Sequence, residues 1–271
     1  MTRRITLLTD FGTADGYVAA IKGVISAIAP AVPIDDAAHD IPPGDIWAAA
    51  WALARYWRFY PPETVHLVVV DPGVGGDRRP IVAEVDGRLF VAPDNGVLTR
   101  VLADVAPSGL FLIENERYRR PTVSATFHGR DLFAPAAAYL AQGIAPAELG
   151  PPISDPVLLP LREPVRSGNR AIGEVVHVDR FGNLITNLPA AWCRGAIEVR
   201  IAGRSVGPLR RTYVDAAPGE LLALVGSADL LEVAARDASA AALLGAGRGE
   251  TVIVDFGSLT LPGGASHGES V

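Results

Sequence analysis

The stretch VHLVVVDPGVGGDRRP, Val65 to Pro80, decides how the first half of this 271-residue chain is read. Its opening, VHLVVV, is β-branched and uninterrupted, the pattern of a strand covered on both faces. Its continuation, DPGVGGDRR, has the glycine content of a phosphate loop. A Walker loop, however, needs a Gly-Lys-Ser/Thr ending, which is missing. A dinucleotide fingerprint needs its last glycine where Arg78 stands, with a helix afterwards, and here Pro80 and a further strand follow. What remains is position. Asp71 lies just past the carboxyl end of a central strand, the edge at which open α/β sheets bind ligands. The glycines let the backbone turn sharply enough to fold Arg78 back toward Asp71. On this loop alone, a surface turn with a structural Asp–Arg pair is an equal alternative.

Strands and helices alternate on either side of this loop. ITLLT (Ile5 to Thr9) reads as a buried strand, and DFGTAD as a turn whose Asp15 can cap the next segment. Val18, Ile21, Ile25 and Ile28 recur at helical spacing until Pro30 stops the helix. A strand near Val32 to Asp35 and a helix from about Asp45 to Arg58 precede Val65. Pro80 to Pro93 reads as a hairpin turning at Asp86-Gly87. Helices at Gly96 to Ala103 and Arg130 to Ala141 flank the strand LFLIE. The pattern predicts a layered α/β domain with a mostly parallel central sheet over residues 1–150. Prolines 146, 151, 152, 156, 160 and 164 then mark an extended connector over 151–167. Short strands dominate 168–271, which predicts a smaller all-β, barrel-like domain ending in a mobile tail, PGGASHGES.

Composition narrows the partners. A net charge of −6 and a pI near 5.4 argue against nucleic acid, which selects a basic face. Cys193 is the single cysteine and cannot form an intramolecular disulfide, so a reducing compartment is the simplest setting. The longest uncharged apolar run, IWAAAWALA, is about half of the roughly 20 residues a membrane span needs. The N-terminus has too short an apolar stretch for a secretory leader. A soluble, cytoplasmic protein with no membrane partner is the expectation. Histidines 39, 66, 128, 177 and 267 show no paired ligand spacing, so no metal site is expected, and His39-Asp40 reads as a loop feature.

Two further stretches bear on function. TFHGRD places His128 just before a helix, with Gly129 allowing close approach; alone, such a histidine is more often a cap or a satisfied structural group than a catalyst. DRFGNLITN (Asp179 to Asn187) is polar between β segments and could be a turn closed by asparagine side chains.

LTDFGTADGYV, VVVDPGVGGDRRPI, FVAPDNGVL, TFHGRDLFAPAAAYLA and FGNLITN occur in the order of one known family. The chain resembles the adenosine-forming S-adenosylmethionine hydrolases, or SAM hydroxide adenosyltransferases, sisters of the fluorinases and chlorinases, from about Ile5 to Phe256. The resemblance implies an N-terminal α/β domain, a C-terminal β-barrel, and a homotrimer with sites between neighbouring subunits. It implies a catalytic triad of Asp71, Arg78 and His128. It further implies that Asp10 holds the ribose hydroxyls and that Asp15 and Asp179 face the methionine ammonium. Phe181 and Tyr213 would sandwich the adenine, Asn183 would read its edge, and Ser227 would meet the methionine carboxylate. Ala228-Asp229, and an ARDASA stretch without glycine, depart from the family pattern near that last contact.

The implied reaction is attack of water-derived hydroxide on ribose C5′, giving adenosine and methionine with no cofactor. Sulfonium is already an excellent leaving group, so the demand falls on the nucleophile. Arginine beside the water favours hydroxide, while Asp71 and His128 orient it, and either could take the proton. Chloride attack on the same fold and a non-catalytic S-adenosylmethionine or adenosine sensor are the alternatives. A halide pocket would call for small apolar walls, and a sensor would need neither Arg78 nor His128.

Overall fold

Period-two alternation in the third strand separates the α/β unit into layers. Val65, Leu67 and Val69 face one apolar cluster, and Val68 and Val70 face another, all of them essentially buried. The computed structural model describes residues 3–256 and divides the chain into two compact units, Met1–Pro160 and Leu161–Val271. The expected mobile tail lies outside the described residues.

The first unit carries β1 (Ile5–Thr9), α1 (Tyr17–Ile28), β2 (Ile34–Ala38), α2 (Ile46–Tyr56), β3 (Val65–Val69), β4 (Pro80–Val85), β5 (Arg88–Pro93), α3 (Thr99–Asp104), β6 (Gly109–Leu112) and α4 (Ala134–Ala141). Its sheet runs β2-β1-β3-β5-β4-β6. The β2, β1, β3 and β5 pairings are parallel, and β4 pairs antiparallel with β5 and β6. Ile21 and Ile25 of α1 and Leu140 of α4 cover one face; Ala49 and Leu53 of α2 and Val101 of α3 cover the other. Each fully buried Val, Leu or Ile here contributes about 1.5–3 kcal/mol relative to exposure.

Asp45 caps α2, its carboxylate accepting from the Ala48 N–H at 3.0 Å. Asp15 does not cap α1. Gly16 occupies the cap position with φ of 76°, which leaves Asp15 one residue too early and exposed. The division between units falls within the proline-rich stretch. Its first part belongs to the α/β unit, where Pro151 O accepts from Leu112 N–H and Asp94 Oδ1 accepts from Val157 N–H.

The second unit contains β7 (Val165–Ser167), β8 (Arg170–Val178), β9 (Leu184–Pro189), α5 (Ala190–Cys193), β10 (Ala196–Ile201), β11 (Arg204–Gly207), β12 (Leu221–Val225), β13 (Leu230–Ala235), α6 (Ala240–Leu244) and β14 (Thr251–Phe256). The order β11-β10-β14-β8-β9-β13-β12 is antiparallel throughout. A parallel bridge between Leu209 and Ala223 brings the chain after β11 to β12, so the sheet is nearly closed as a barrel around Val175, Leu184, Val199, Val233 and Val252. No helix among the described residues is long and apolar enough to cross a membrane.

Candidate active site

Asp10, Asp71 and Asp94 follow the carboxyl ends of β1, β3 and β5, three strands that run parallel. After Asp71 the loop doubles back through Gly75, which has φ of 78° and lies so close to Ala125 that a Cβ would sit 2.3 Å from its carbonyl oxygen. This close approach fits the Asp71–Arg79 loop against the Ser124–His128 segment. The glycine is therefore needed on two counts, backbone angle and space.

The turn returns Arg78 to Asp71. Arg78 Nε donates to Asp71 Oδ1 at 3.0 Å and Oδ2 at 2.9 Å, and Nη2 donates to Oδ2 at 2.6 Å. The same Nη2 lies 2.6 Å from His128 Nδ1. Phe133 stacks beneath the guanidinium at 5.1 Å. The side chains of Asp71 and Arg78 are only 5% and 10% exposed, so this pair is largely desolvated and its charges interact strongly. A guanidinium can only donate, so Nδ1 of His128 accepts and the ring proton sits on Nε2. Burial, and then the charge of Arg78, push the His128 pKa below its ordinary value, which favours the neutral ring.

His128 opens a wide π-type turn, Gly129–Phe133, before α4. That turn carries Asp131 into the interior, where it is fully buried. Asp131 accepts from Arg120 Nη1 at 2.7 Å, Arg130 Nε and Nη2 at 2.7 and 2.8 Å, and the Ser124 N–H at 2.9 Å. Burial alone would raise its pKa, but these donors outweigh it and hold the carboxyl well below the usual range. Asp131 thus pins both ends of the loop that delivers His128.

A cleft of about 500 Å³ opens beside the triad, lined by Asp10, Phe11, Tyr17, Pro43, Gly44, Asp71 and Pro72. Asp10 Oδ2 accepts from the Gly44 N–H at 2.8 Å. Phe11 and Tyr17 of its wall pack with Phe127, ring centroids 5.2–5.9 Å apart, Phe127 meeting both edge-on.

The remaining candidates occupy the second unit. Asp179 closes a tight turn, its Oδ1 accepting from the Phe181 and Asn183 N–H groups at 2.9 Å and its Oδ2 from Asn183 Nδ2 at 3.0 Å. Gly182 at the turn has φ of 82° and no room for a Cβ against Ser239. The turn leaves Phe181 projecting, 76% exposed, while Asn183 is buried. Tyr213 donates its hydroxyl to Glu232 at 2.6 Å, and Ser227 lies in the exposed β12–β13 turn.

Two family models cover nearly all of the described chain. The SAM hydroxide adenosyltransferase N-terminal domain matches residues 5–150 and the C-terminal domain matches residues 173–253. The chain belongs to this family. It is 43% identical over 258 residues to the (R)-S-adenosyl-L-methionine hydrolase of Thermus thermophilus, spanning 92% of this chain and 98% of that one. A fluorinase of an Actinoplanes species is 27% identical over 68% of this chain and 71% of its own length. The crystal structure of an uncharacterized conserved protein from Thermotoga maritima superposes with a TM-score of 0.87 at 36% identity, over 93% of this chain and 99% of that one.

In this family member the structure gathers Asp71, Arg78 and His128, with Asp10 across the adjoining cleft. It gathers Asp179, Phe181 and Asn183 separately in the β unit. Sequence reasoning missed Asp131, although TFHGRD contains it. An aspartate between Arg130 and the apolar LFAPAAA is the available signal, since a carboxylate among buried positions needs cationic partners. Gly75 was undervalued because its steric neighbour, Ala125, is remote in sequence.

Proposed function

We propose that this chain hydrolyses S-adenosyl-L-methionine to adenosine and L-methionine, with water-derived hydroxide attacking ribose C5′. The observation that carries this reading is the Arg78 guanidinium held between Asp71 and His128 at the strand edge. Its family membership and the hydrolase relatives support the same reaction.

Water with a pKa of about 15.7 does not ionise readily. A fixed, desolvated guanidinium supplies a positive field that stabilises the developing hydroxide. His128 cannot take the proton at Nδ1, which Arg78 occupies, so it donates from Nε2 and orients the oxygen. Asp71 retains an unused lone pair and is the proton acceptor. As the C5′–O bond forms, the C5′–S bond breaks and its electron pair neutralises the sulfonium to the thioether of methionine. The proton passes through Asp71 to solvent. Because the leaving group carries its own positive charge, the step needs no cofactor and no metal.

Asp10, with one oxygen braced by Gly44, accepts from the vicinal ribose hydroxyls. Phe181 and Tyr213 face the adenine. Asn183 commits its amide N–H to Asp179, so its Oδ1 accepts from the adenine amino group. Asp15 and Asp179 face the ammonium, and Ser227 the carboxylate. A homotrimer, in which neighbouring protomers share each site, belongs to the same reading, as does a cytoplasmic setting that keeps the buried thiol of Cys193 reduced.

Incubation with S-adenosylmethionine in oxygen-18 water, with and without chloride, tests the reaction. Labelled adenosine and methionine are expected; 5′-chloroadenosine, or binding without turnover, would overturn the proposal. Light scattering after gel filtration tests the trimer.

A further inference from the structure

We propose that His39 is a positioning residue for Asp10, locking the two loops that present and brace its carboxylate. The proposal rests on the reading of Asp10 as the ribose-diol acceptor. His39 is buried behind the cleft, at 8% exposure, and takes no part in the triad. Its Nε2 lies 3.0 Å from Asp36 Oδ1, and its Nδ1 lies 2.9 Å from Thr9 Oγ1. Lys22 Nζ donates to the other Asp36 oxygen at 2.6 Å.

The direction of each bond follows from Asp36. Burial opposes ionisation, but hydrogen bonds from Lys22 and His39 outweigh it, so the group is a carboxylate and only accepts. His39 therefore donates from Nε2. Nδ1 is left to pair with the Thr9 hydroxyl, whose oxygen also accepts from the Phe11 N–H at 3.3 Å. The residues before and after Asp10 are thus fixed by one chain of donors and acceptors. The backbone of His39 adds a second hold, its carbonyl accepting from the Gly12 N–H at 2.7 Å. Beyond His39 the chain passes through Pro42 and Pro43 to Gly44, whose N–H holds Asp10 Oδ2 at 2.8 Å. One residue thereby sets both the loop that bears the carboxylate and the loop that orients it.

An apolar pair could fill the Thr9–His39 space without leaving either of those two side chains unsatisfied, although the Phe11 N–H and one Asp36 oxygen each lose a partner, so the melting temperature is read alongside. The double variant Thr9→Val/His39→Leu therefore separates positioning from folding. Binding of adenosine and of 2′,3′-dideoxyadenosine is measured by calorimetry on the full chain, with KM, kcat and melting temperature alongside. Hydrogen bonds to a fixed carboxylate predict that the unmodified protein prefers adenosine by about ten-fold or more. The double variant is expected to lower that preference to about three-fold or less and to raise KM more than it lowers kcat. His39→Asn, whose amide can still reach Thr9, is expected to keep most of the preference.

Full preference in the folded double variant, with preference lost in Asp10→Ala, would overturn the role of His39 and leave Asp10 standing. If the unmodified protein shows no preference, or Asp10→Ala retains it, the diol reading falls and this proposal falls with it. Should the double variant not fold, Thr9→Val alone decides, since it removes the His39 and Phe11 contacts together; an unchanged preference there overturns the proposal.

Discussion

In the α/β unit, Asp71 and Arg78 are nearly withdrawn from water and bound to one another, whereas in the β unit Phe181 leaves 76% of its surface exposed. The contrast matches what the two kinds of residue are asked to do. Charges that stabilise a developing hydroxide act best when already oriented, since reorganising them during the reaction would raise the barrier. An aromatic ring that stacks on a base needs an open face and a rigid root. The Asp179 turn provides the root through backbone and amide hydrogen bonds.

The comparison predicts that damage to the triad and damage to the Asp179 turn separate into kcat and KM. The largest effect is expected for Arg78→Ala, with kcat lowered about 1,000-fold and KM changed little, read by steady-state kinetics. A comparable rise in KM would place Arg78 in binding and break the contrast. Next comes Asp131→Asn, which leaves two arginines and a backbone N–H around a weakened acceptor. A loss of about 3 kcal/mol is expected from chemical denaturation, with kcat falling through displacement of His128. Phe181→Ala is expected to raise KM roughly 5- to 100-fold through lost stacking, with kcat and melting temperature nearly unchanged. A large fall in stability would show that the exposed ring is structural after all.

A pH-dependent effect sharpens the comparison elsewhere in the α/β sheet. His66 begins in β3 fully buried, with Nδ1 2.8 Å from Thr6 Oγ1 and its ring stacked on Phe90. Burial, and then the charge of Arg88, push its pKa down to about 3. The folded state thus binds fewer protons than the unfolded one below about pH 6.5. Stability is intact above that pH and declines on acidification by about 1.4 kcal/mol per pH unit until the folded pKa is reached. His66→Gln should flatten that slope in urea titrations at several pH values, and an unchanged slope would move the acid-labile point elsewhere.

Much of this architecture is legible in the residues themselves. The strands at Ile5 and Val65 and the helices at Val18 and Asp45 follow from apolar runs and apolar periodicity. β2 is displaced from its expected place because Asp35 and Asp36 lie within it, each paired with a cation, Arg4 or Lys22, that no local pattern reveals. β9 hides behind the polar motif DRFGNLITN, since the turn ends at Asn183 and the strand starts immediately afterwards. In the site, the approach of Arg78 to Asp71 was readable from seven residues of loop, but the grip of Arg78 on His128 spans 50 residues and needed the fold. Asp131 and His39 stayed illegible for the same reason: their partners assemble only in three dimensions.

Arg78 and Arg79 are neighbours with opposite engagements. Arg78 turns to Asp71, while Arg79 donates to Asp94 at 2.6 Å and to Asp155 at 2.9 Å in the segment leading out of the unit. The loop therefore works as a ruler. Asp77, exposed between Asp71 and Arg78, serves as spacing rather than as a contact in this pairing. Removing or adding one residue would offer each guanidinium the wrong acid, so the length of the loop fixes which acid each arginine meets.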